Sequence, residues 1–156
     1  RGKARTYGQE PGAQRQLVTA GTYYPLVSIR LKSTKLDSIV VPKTINIAPI
    51  NQALYKYKIV TGATLTGASW ANSGSDTAVE YDANNSTTMS GGTVIESGLI
   101  QATNQSAATV ELHDSFFQHQ LERNGLSNTA TIFTVALTCG TATSNAIGTV
   151  NWQEFT

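Results

Sequence analysis

The 156-residue chain has little charge. Charged residues make up 13% of it, and 11 Lys and Arg against 10 Asp and Glu give a net charge of +1. A domain this close to neutrality has no overall basic charge to draw it to nucleic acid or to an anionic membrane surface. We therefore expect neither nucleic acid nor a membrane among its partners.

Cysteine and long apolar runs are also scarce. The single cysteine, Cys139, has no second cysteine for a disulfide, and its apolar neighbours favour a buried thiol over a reactive one. No apolar run reaches the ~20 residues that a membrane-spanning helix needs, and no secretion signal is recognisable at the start. Because the numbering opens at Arg1 instead of Met, we expect a processed product or part of a longer chain.

The residues that are abundant favour strands and turns. Thr, Ser, Asn, Ala and Gly are common, and β-branched and aromatic residues supply most of the bulk. Apolar and polar residues alternate with a period of two in segments 26–32, 54–60, 132–138 and 147–155, as half-buried strands require. We expect Tyr55, Tyr57 and Trp152 to lie in the core, since alternation places each on an inward face.

Turn residues predict how these strands are divided and joined. Pro42 is expected to separate two short strands, because proline cannot donate a ladder hydrogen bond. Gly98 suggests a β-bulge. The segment 61–75 is expected to be a long loop in which Trp70 is the only large side chain, and the short link at 140–145 predicts a hairpin of the last two strands.

The first residues differ in composition from the rest of the chain. Residues 1–15 carry Arg1, Lys3, Arg5 and Arg15 among Gly, Gln and Pro, without an apolar pattern that could bury the segment on its own domain. We expect an extended basic arm that is ordered by docking on a neighbouring molecule, with a solvated terminus as the alternative.

The remaining residues 16–156 are expected to form one domain, which is long enough to bury a core. The stretch 108–126 is ambiguous, and Asp114 could cap a short helix that begins at Ser115 and ends at Gly125. The predicted fold is therefore an all-β, antiparallel two-layer sandwich or jelly roll, with the arm and at most one short helix.

Residues that could support catalysis or bind a metal are few and scattered. Glu111 and His113 could hold a metal on a strand together with a third ligand, and His119 lies six residues after His113, but no zinc motif accompanies them. Glu80 and Asp82 could lie on one strand face as an acid pair, but they border a polar loop where carboxylates are ordinarily solvated. We expect no catalytic residues, no metal, no cofactor and no enzymatic activity.

Several segments together resemble virion structural proteins of tailed bacteriophages. They are 24–32 (YPLVSIRLK), 39–42 (IVVP), 64–70 (TLTGASW), 78–82 (AVEYD), 90–98 (SGGTVIESG) and 148–154 (GTVNWQE). The resemblance spans roughly residues 22–155 and implies a capsid-decoration or head- or tail-fibre protein on the particle exterior. It further implies assembly in symmetric copies with the major capsid protein or with fibre or tail subunits. The basic arm would then contact a capsid protein or a neighbouring subunit, and the resemblance transfers no active site.

Two hypotheses of function follow from the sequence. The first is a structural protein that decorates or stabilises the capsid, or forms the globular part of a fibre, by protein–protein contact. The second is a carbohydrate-binding module that recognises a host glycan through Trp70 and the polar loops 82–89 and 140–145, since aromatic rings stack on sugars.

Overall fold

The computed structural model describes residues 2–83, 87–102, 108–111 and 120–155. Within those ranges the chain forms thirteen β-strands and no helix. The strands are β1 (Gly2–Gly8), β2 (Arg15–Leu17), β3 (Tyr24–Leu31), β4 (Ile39–Pro49), β5 (Ala53–Thr61), β6 (Thr64–Thr66), β7 (Ala71–Asn72), β8 (Val79–Ala83), β9 (Thr88–Ser90), β10 (Thr93–Ala102), β11 (Ala108–Glu111), β12 (Phe133–Cys139) and β13 (Ser144–Phe155). The predicted helix would begin at Ser115, which lies outside the described residues, and residues 120–125 are not helical.

Two antiparallel sheets carry the fold. The five-stranded sheet has the order β1-β13-β4-β11, and β2 also pairs with β13. The six-stranded sheet has the order β10-β5-β12-β3-β8-β7, while β6 and β9 pair separately. The prediction of an all-β antiparallel sandwich is confirmed.

The core lies between the two sheets and is built from cross-strand rows. Val135 of β12 lies opposite Val27 of β3 and Ile59 of β5, and all three side chains are buried. From the five-stranded sheet, the paired residues Val150 and Ile45 are equally buried. Burying each such side chain contributes about 1.5–3 kcal/mol, so these rows supply much of the stability.

Two of the three aromatic side chains predicted for the core are fully buried. Tyr55 is 0% exposed and Trp152 is 1% exposed, whereas Tyr57 is partly buried and packs against the core. The Tyr55 hydroxyl donates to the carbonyl oxygen of Asn51 at 2.7 Å, as a buried phenol requires.

The predicted hairpin of segments 132–138 and 147–155 is wrong. Strand β12 pairs with β3 and β5, whereas β13 pairs with β1, β2 and β4, so the two strands lie in different sheets. Packed sheets lie about 10 Å apart, and a link of a few residues at up to about 3.5 Å each can cross that gap. Alternation reports that a strand is half-buried, but it does not report which strand is its partner.

Pro42 does not divide a strand in two. It lies inside β4, where the register with β13 passes from Thr44 opposite Asn151 to Pro42 opposite Trp152. Lys43 is therefore the extra residue of a β-bulge. The proline is accommodated because a bulge interrupts the ladder locally, so that a missing N–H costs little there.

The bulge predicted at Gly98 lies elsewhere in β10. The register shift falls between Val94 and Glu96, which leaves Ile95 as the extra residue. Gly98 itself lies opposite Tyr57, and a Cβ atom at this position would lie 2.7 Å from the Tyr57 ring. The glycine is needed because the tyrosine ring crosses directly over it.

The expected arm is an edge strand of its own domain. Strand β1 pairs with β13 of the same chain from Gly2 opposite Phe155 to Gly8 opposite Thr149. After residues 9–14, β2 takes up the same edge of β13. This corrects the expectation that a neighbour would be needed to order the segment, because ladder hydrogen bonds join main chains and need no apolar pattern.

The close packing at Gly148 of β13 generates a stability prediction. A Cβ atom there would lie 2.5 Å from Cδ2 of Leu26, whose side chain is fully buried in the core. We expect Gly148→Ala to lower the free energy of unfolding by about 1–3 kcal/mol, as overpacking does. The matched control is Gly125→Ala, where nothing lies within 4 Å of the added atom. Urea unfolding measures both, and equal stabilities of the two variants would contradict the packing described.

Candidate contact surfaces

One flank of the sandwich is closed by contacts of β1 with β8 and with the segment that leads into β8. The rings of Tyr7 and Tyr81 stack with centroids 3.4 Å apart and planes inclined by 20°. The Lys3 ammonium pairs with the Asp76 carboxylate at 2.5 Å and holds the pKa of that carboxyl below its ordinary value. Arg5 donates to the main-chain carbonyl of Asp76. These five residues define the closed flank.

A buried carboxylate lies behind the closed flank. Glu154 of β13 is 1% exposed and accepts hydrogen bonds from the Thr77 hydroxyl, from the Ala78 N–H at 3.2 Å and from the Trp152 indole N–H at 3.0 Å. Thr77 and Ala78 lead into β8 of the other sheet. Because a carboxylate deprived of water must be hydrogen-bonded, Glu154 ties the two sheets together at this flank.

A buried amide makes a second link between the sheets at the end of β1. The Gln9 side chain donates to the carbonyl of Leu26 in β3 at 2.7 Å and accepts from the N–H of Gly148 in β13 at 2.8 Å. Its own main-chain N–H donates to the Gly148 carbonyl at 3.0 Å. Gln9 is therefore the point at which the N-terminal segment is anchored to both layers.

The basic residues predicted to contact another protein have partners in their own chain wherever the structure describes them. Lys3 and Arg5 belong to the closed flank. Arg15 donates to the Thr87 carbonyl at 3.3 Å and lies 5.7 Å from the Tyr24 ring centroid, and burial lowers its pKa. Arg1 lies outside the described residues. Contact of these residues with a capsid protein or a neighbouring subunit stays a prediction.

Trp70 is packed against the six-stranded sheet. The Arg30 guanidinium lies 4.1 Å from the Trp70 ring centroid and donates to Glu80 at 2.6 Å. The adjacent Ser69 N–H donates to the Asp82 carboxylate at 3.0 Å. One ring face is thus covered by Arg30, and both carboxylates considered as an acid pair have structural partners. Strands β6 and β7 lie in the segment predicted to be a loop.

A groove lies beside the closed flank. It has a volume of about 600 Å³, and its lining includes the hydroxyls of Thr6 and Ser73, the amides of Asn151 and Gln153, and the cation Lys43. Hydroxyls and amides are the groups that orient a polar ligand. The groove contains none of the residues of the carbohydrate hypothesis, which stays a prediction.

The outer face of the six-stranded sheet exposes apolar side chains on β5 and β10. Leu99 is 68% exposed and lies opposite Lys56, while Leu54 is 47% exposed and lies opposite Gln101. The register makes the two leucines diagonal neighbours on one face. We name Leu54, Lys56, Leu99 and Gln101 the Leu99 patch. It lies at the side of the sheet where β10 is the edge strand.

Sequence reasoning missed the Leu99 patch, although a signal for it exists. Leu54 falls on the same strand face as Lys56 and Lys58, which is opposite to the inward face predicted for Tyr55 and Tyr57. In β10, Leu99 and Ile100 are adjacent, so a strand can direct only one of them into the core. Ile100 is the buried one. An apolar residue out of phase with the core pattern is therefore the feature to look for.

The side chains weighed as metal ligands lie outside the part of the chain whose side chains the structure describes. His113 and His119 lie outside the described residues, and the structure describes only the backbone of Glu111. Over the remainder, no group of three His, Cys, Asp or Glu side chains is placed to hold a metal ion. No helix within the described ranges is long and apolar enough to cross a membrane.

No protein-family profile and no curated protein matches this chain. Among solved structures, the chain is similar to one described as "Structure of infectious bursal disease virus Gx strain", with 11% sequence identity and a TM-score of 0.22. The alignment covers 99% of this chain and 40% of that chain. A likeness this weak carries no argument about fold or function.

The stacked pair in the closed flank predicts a pH dependence. Burial, followed by the hydrogen bond with Tyr81, raises the pKa of Tyr7 to about 12, against about 10 for an unfolded tyrosine. Between about pH 10 and 12 the unfolded chain loses a proton that the folded chain keeps, so stability falls as the pH rises.

We expect Tyr7→Phe, which keeps the ring, to show a shallower fall in stability than the unmodified protein above about pH 10. The measurement is urea unfolding at a series of pH values, and pH 7 to 9 serves as the internal control because Tyr7 is protonated there in both states. Parallel curves for the two proteins above pH 10 would show that Tyr7 keeps an ordinary pKa.

Proposed function

We propose that this chain is a non-enzymatic structural protein of a tailed-phage virion. It decorates or stabilises the capsid, or forms the globular part of a head or tail fibre, on the exterior of the particle. Its partners are copies of itself and other virion proteins, such as the major capsid protein or fibre and tail subunits. The observation that carries the proposal is the Leu99 patch on a rigid sandwich.

The Leu99 patch has the composition of a small contact surface. Two large apolar side chains lie side by side on a flat sheet face, and Lys56 and Gln101 border them. Protein–protein interfaces combine an apolar centre with a polar rim in this way. The apolar centre supplies binding free energy when a partner removes it from water, since each buried Å² of apolar surface contributes roughly 25 cal/mol.

Rigidity supports the same function. The buried Glu154 and Gln9 hydrogen bonds hold the two sheets together, and the closed flank joins their edges. A protein that docks without rearranging loses little conformational entropy on binding. A sandwich braced in this way suits a role in which its outer faces meet neighbours in a fixed geometry.

The irregular edge of β10 indicates that a partner contacts the outer face of the sheet at the Leu99 patch and does not add a strand to the sheet edge. The bulge at Ile95 interrupts the edge, and Glu96 lies opposite the buried Ile59, which places its carboxylate on the inward face of the edge strand. Bulges and inward-pointing charges are the devices by which edge strands avoid pairing with other chains. Face-to-face contact through Leu54 and Leu99 remains available.

The patch predicts the outcome of one substitution. We expect Leu99→Ser to weaken self-association, or occupancy on purified particles, by about fivefold or more, since the loss of a central apolar contact that costs about 1 kcal/mol or more corresponds to at least that factor. The matched control is Leu126→Ser, which removes an equally apolar and fully exposed side chain from a turn outside the patch. Sedimentation equilibrium measures self-association, and quantification of the chain bound to purified particles measures occupancy.

The control should behave as the unmodified protein within about twofold, because its side chain lies outside the proposed contact. Equal association of Leu99→Ser and the unmodified chain would rule out the Leu99 patch as the contact. An unmodified chain that neither self-associates nor occupies particles would overturn the proposed function as a whole.

A further inference from the structure

Strand β1 is attached to the domain by its edge. Among the described residues it pairs with β13 and with no other strand, and none of its own residues is buried. Beyond the ladder it is held by the polar and ring contacts of the closed flank and, at its end, by the hydrogen bonds of the buried Gln9, which moves with the strand. Detaching β1 therefore exposes little apolar core, in contrast to strands such as β12, which is buried along almost its entire length.

The segment that follows β1 has the geometry of a hinge. Gly8 lies opposite Thr149, and Arg15 lies opposite Ala146. Only two residues of β13 lie between these positions, whereas six residues, 9–14, connect β1 to β2. Residues 10–14 are exposed and protrude as a loop that contains a turn from Ala13 to Glu10. The loop includes Pro11 and Gly12, and Gly12 has a φ of +96° with open space around it.

We propose that two copies of this chain exchange β1, so that β1 of each copy pairs with β13 of the other. This inference rests on the proposed function, because it supplies a way for copies to be joined. In the exchanged pair every ladder bond, the Tyr7–Tyr81 stack and the Lys3–Asp76 ion pair form as before, but between copies. Exchange of an identical element is a low-cost route to a dimer because no new interface has to be designed.

The hinge also limits the geometry of the exchange. Residues 10–14, fully extended, span at most about 18 Å at about 3.3–3.6 Å per residue. The two β13 edges must therefore lie close together. Strand β1 makes the same contacts whether it pairs with β13 of its own copy or of the other copy. Pairing within the chain and pairing with a neighbour are therefore two placements of one strand.

A cysteine pair distinguishes the two placements. Ala4 lies opposite Gln153 in the β1–β13 register, and Cα atoms at opposed positions of antiparallel strands lie within the range that a disulfide accepts. In Ala4→Cys/Gln153→Cys, oxidation of the assembled protein should give a covalent dimer on a non-reducing gel. The native Cys139 is buried and does not compete.

The control pair is Thr44→Cys/Asn151→Cys. These residues lie opposite each other on β4 and β13, which stay in one copy in both placements. We expect this pair to give only an internally linked monomer. Any covalent dimer that this control pair forms would therefore come from chance collisions between copies.

A hinge deletion provides the second test. Removing residues 10–13 would place Gln9 opposite Gly148 and Gln14 opposite Ile147, which makes β1 and β2 one continuous strand in the existing register. In this background we expect Ala4→Cys/Gln153→Cys to yield only the internally linked monomer, with the fold retained.

The outcomes separate the exchange from the proposed function. Internal linkage alone in the full-length pair, with sedimentation showing an oligomer, would overturn the exchange and leave assembly through the Leu99 patch intact. A full-length chain that is monomeric at every concentration and absent from particles would overturn both. Loss of the covalent dimer on deletion of residues 10–13, with the dimer present in the full-length pair, is the result expected.

Discussion

The pairing of β13 with strands on both of its sides is the interaction on which the rest of the structure depends. Its twelve residues align β4 on one edge and both β1 and β2 on the other. Its inward positions place Val150 and Trp152 in the core, and Glu154 reaches across to the opposite sheet. Gly148 admits Leu26 of the facing sheet, so β13 fixes the packing of the two layers as well as their edges.

This arrangement gives the two sides of the sandwich different roles. One flank is closed by the contacts of β1 with β8 and with the segment before it, and a buried carboxylate lies behind it. The outer face at β5 and β10 instead leaves Leu54 and Leu99 in solvent. A molecule that is internally braced and presents apolar side chains at a fixed place is suited to binding neighbours in a defined geometry, which is the basis of the proposed structural role.

Period-two alternation was sufficient to predict the class of fold and the burial of Tyr55 and Trp152, because it follows directly from the pleat of a half-buried strand. It could not predict partners, so β12 and β13 were joined in a hairpin although they lie in different sheets. Pairing of β1 depends on main-chain groups that every residue carries, and composition therefore gave no sign of it. The covering of Trp70 by Arg30 joins residues distant in sequence, which no local pattern reports.

We propose that the chain acts as a structural component of a virion through contact with its neighbours. The decisive measurement is an electron cryo-microscopy map of intact particles of the proposed virion. We expect density for the sandwich in symmetric copies on the particle exterior, with β5 and β10 turned toward a neighbouring protein. Particles that lack this density, and whose purified protein contains no peptide of the chain, would contradict it.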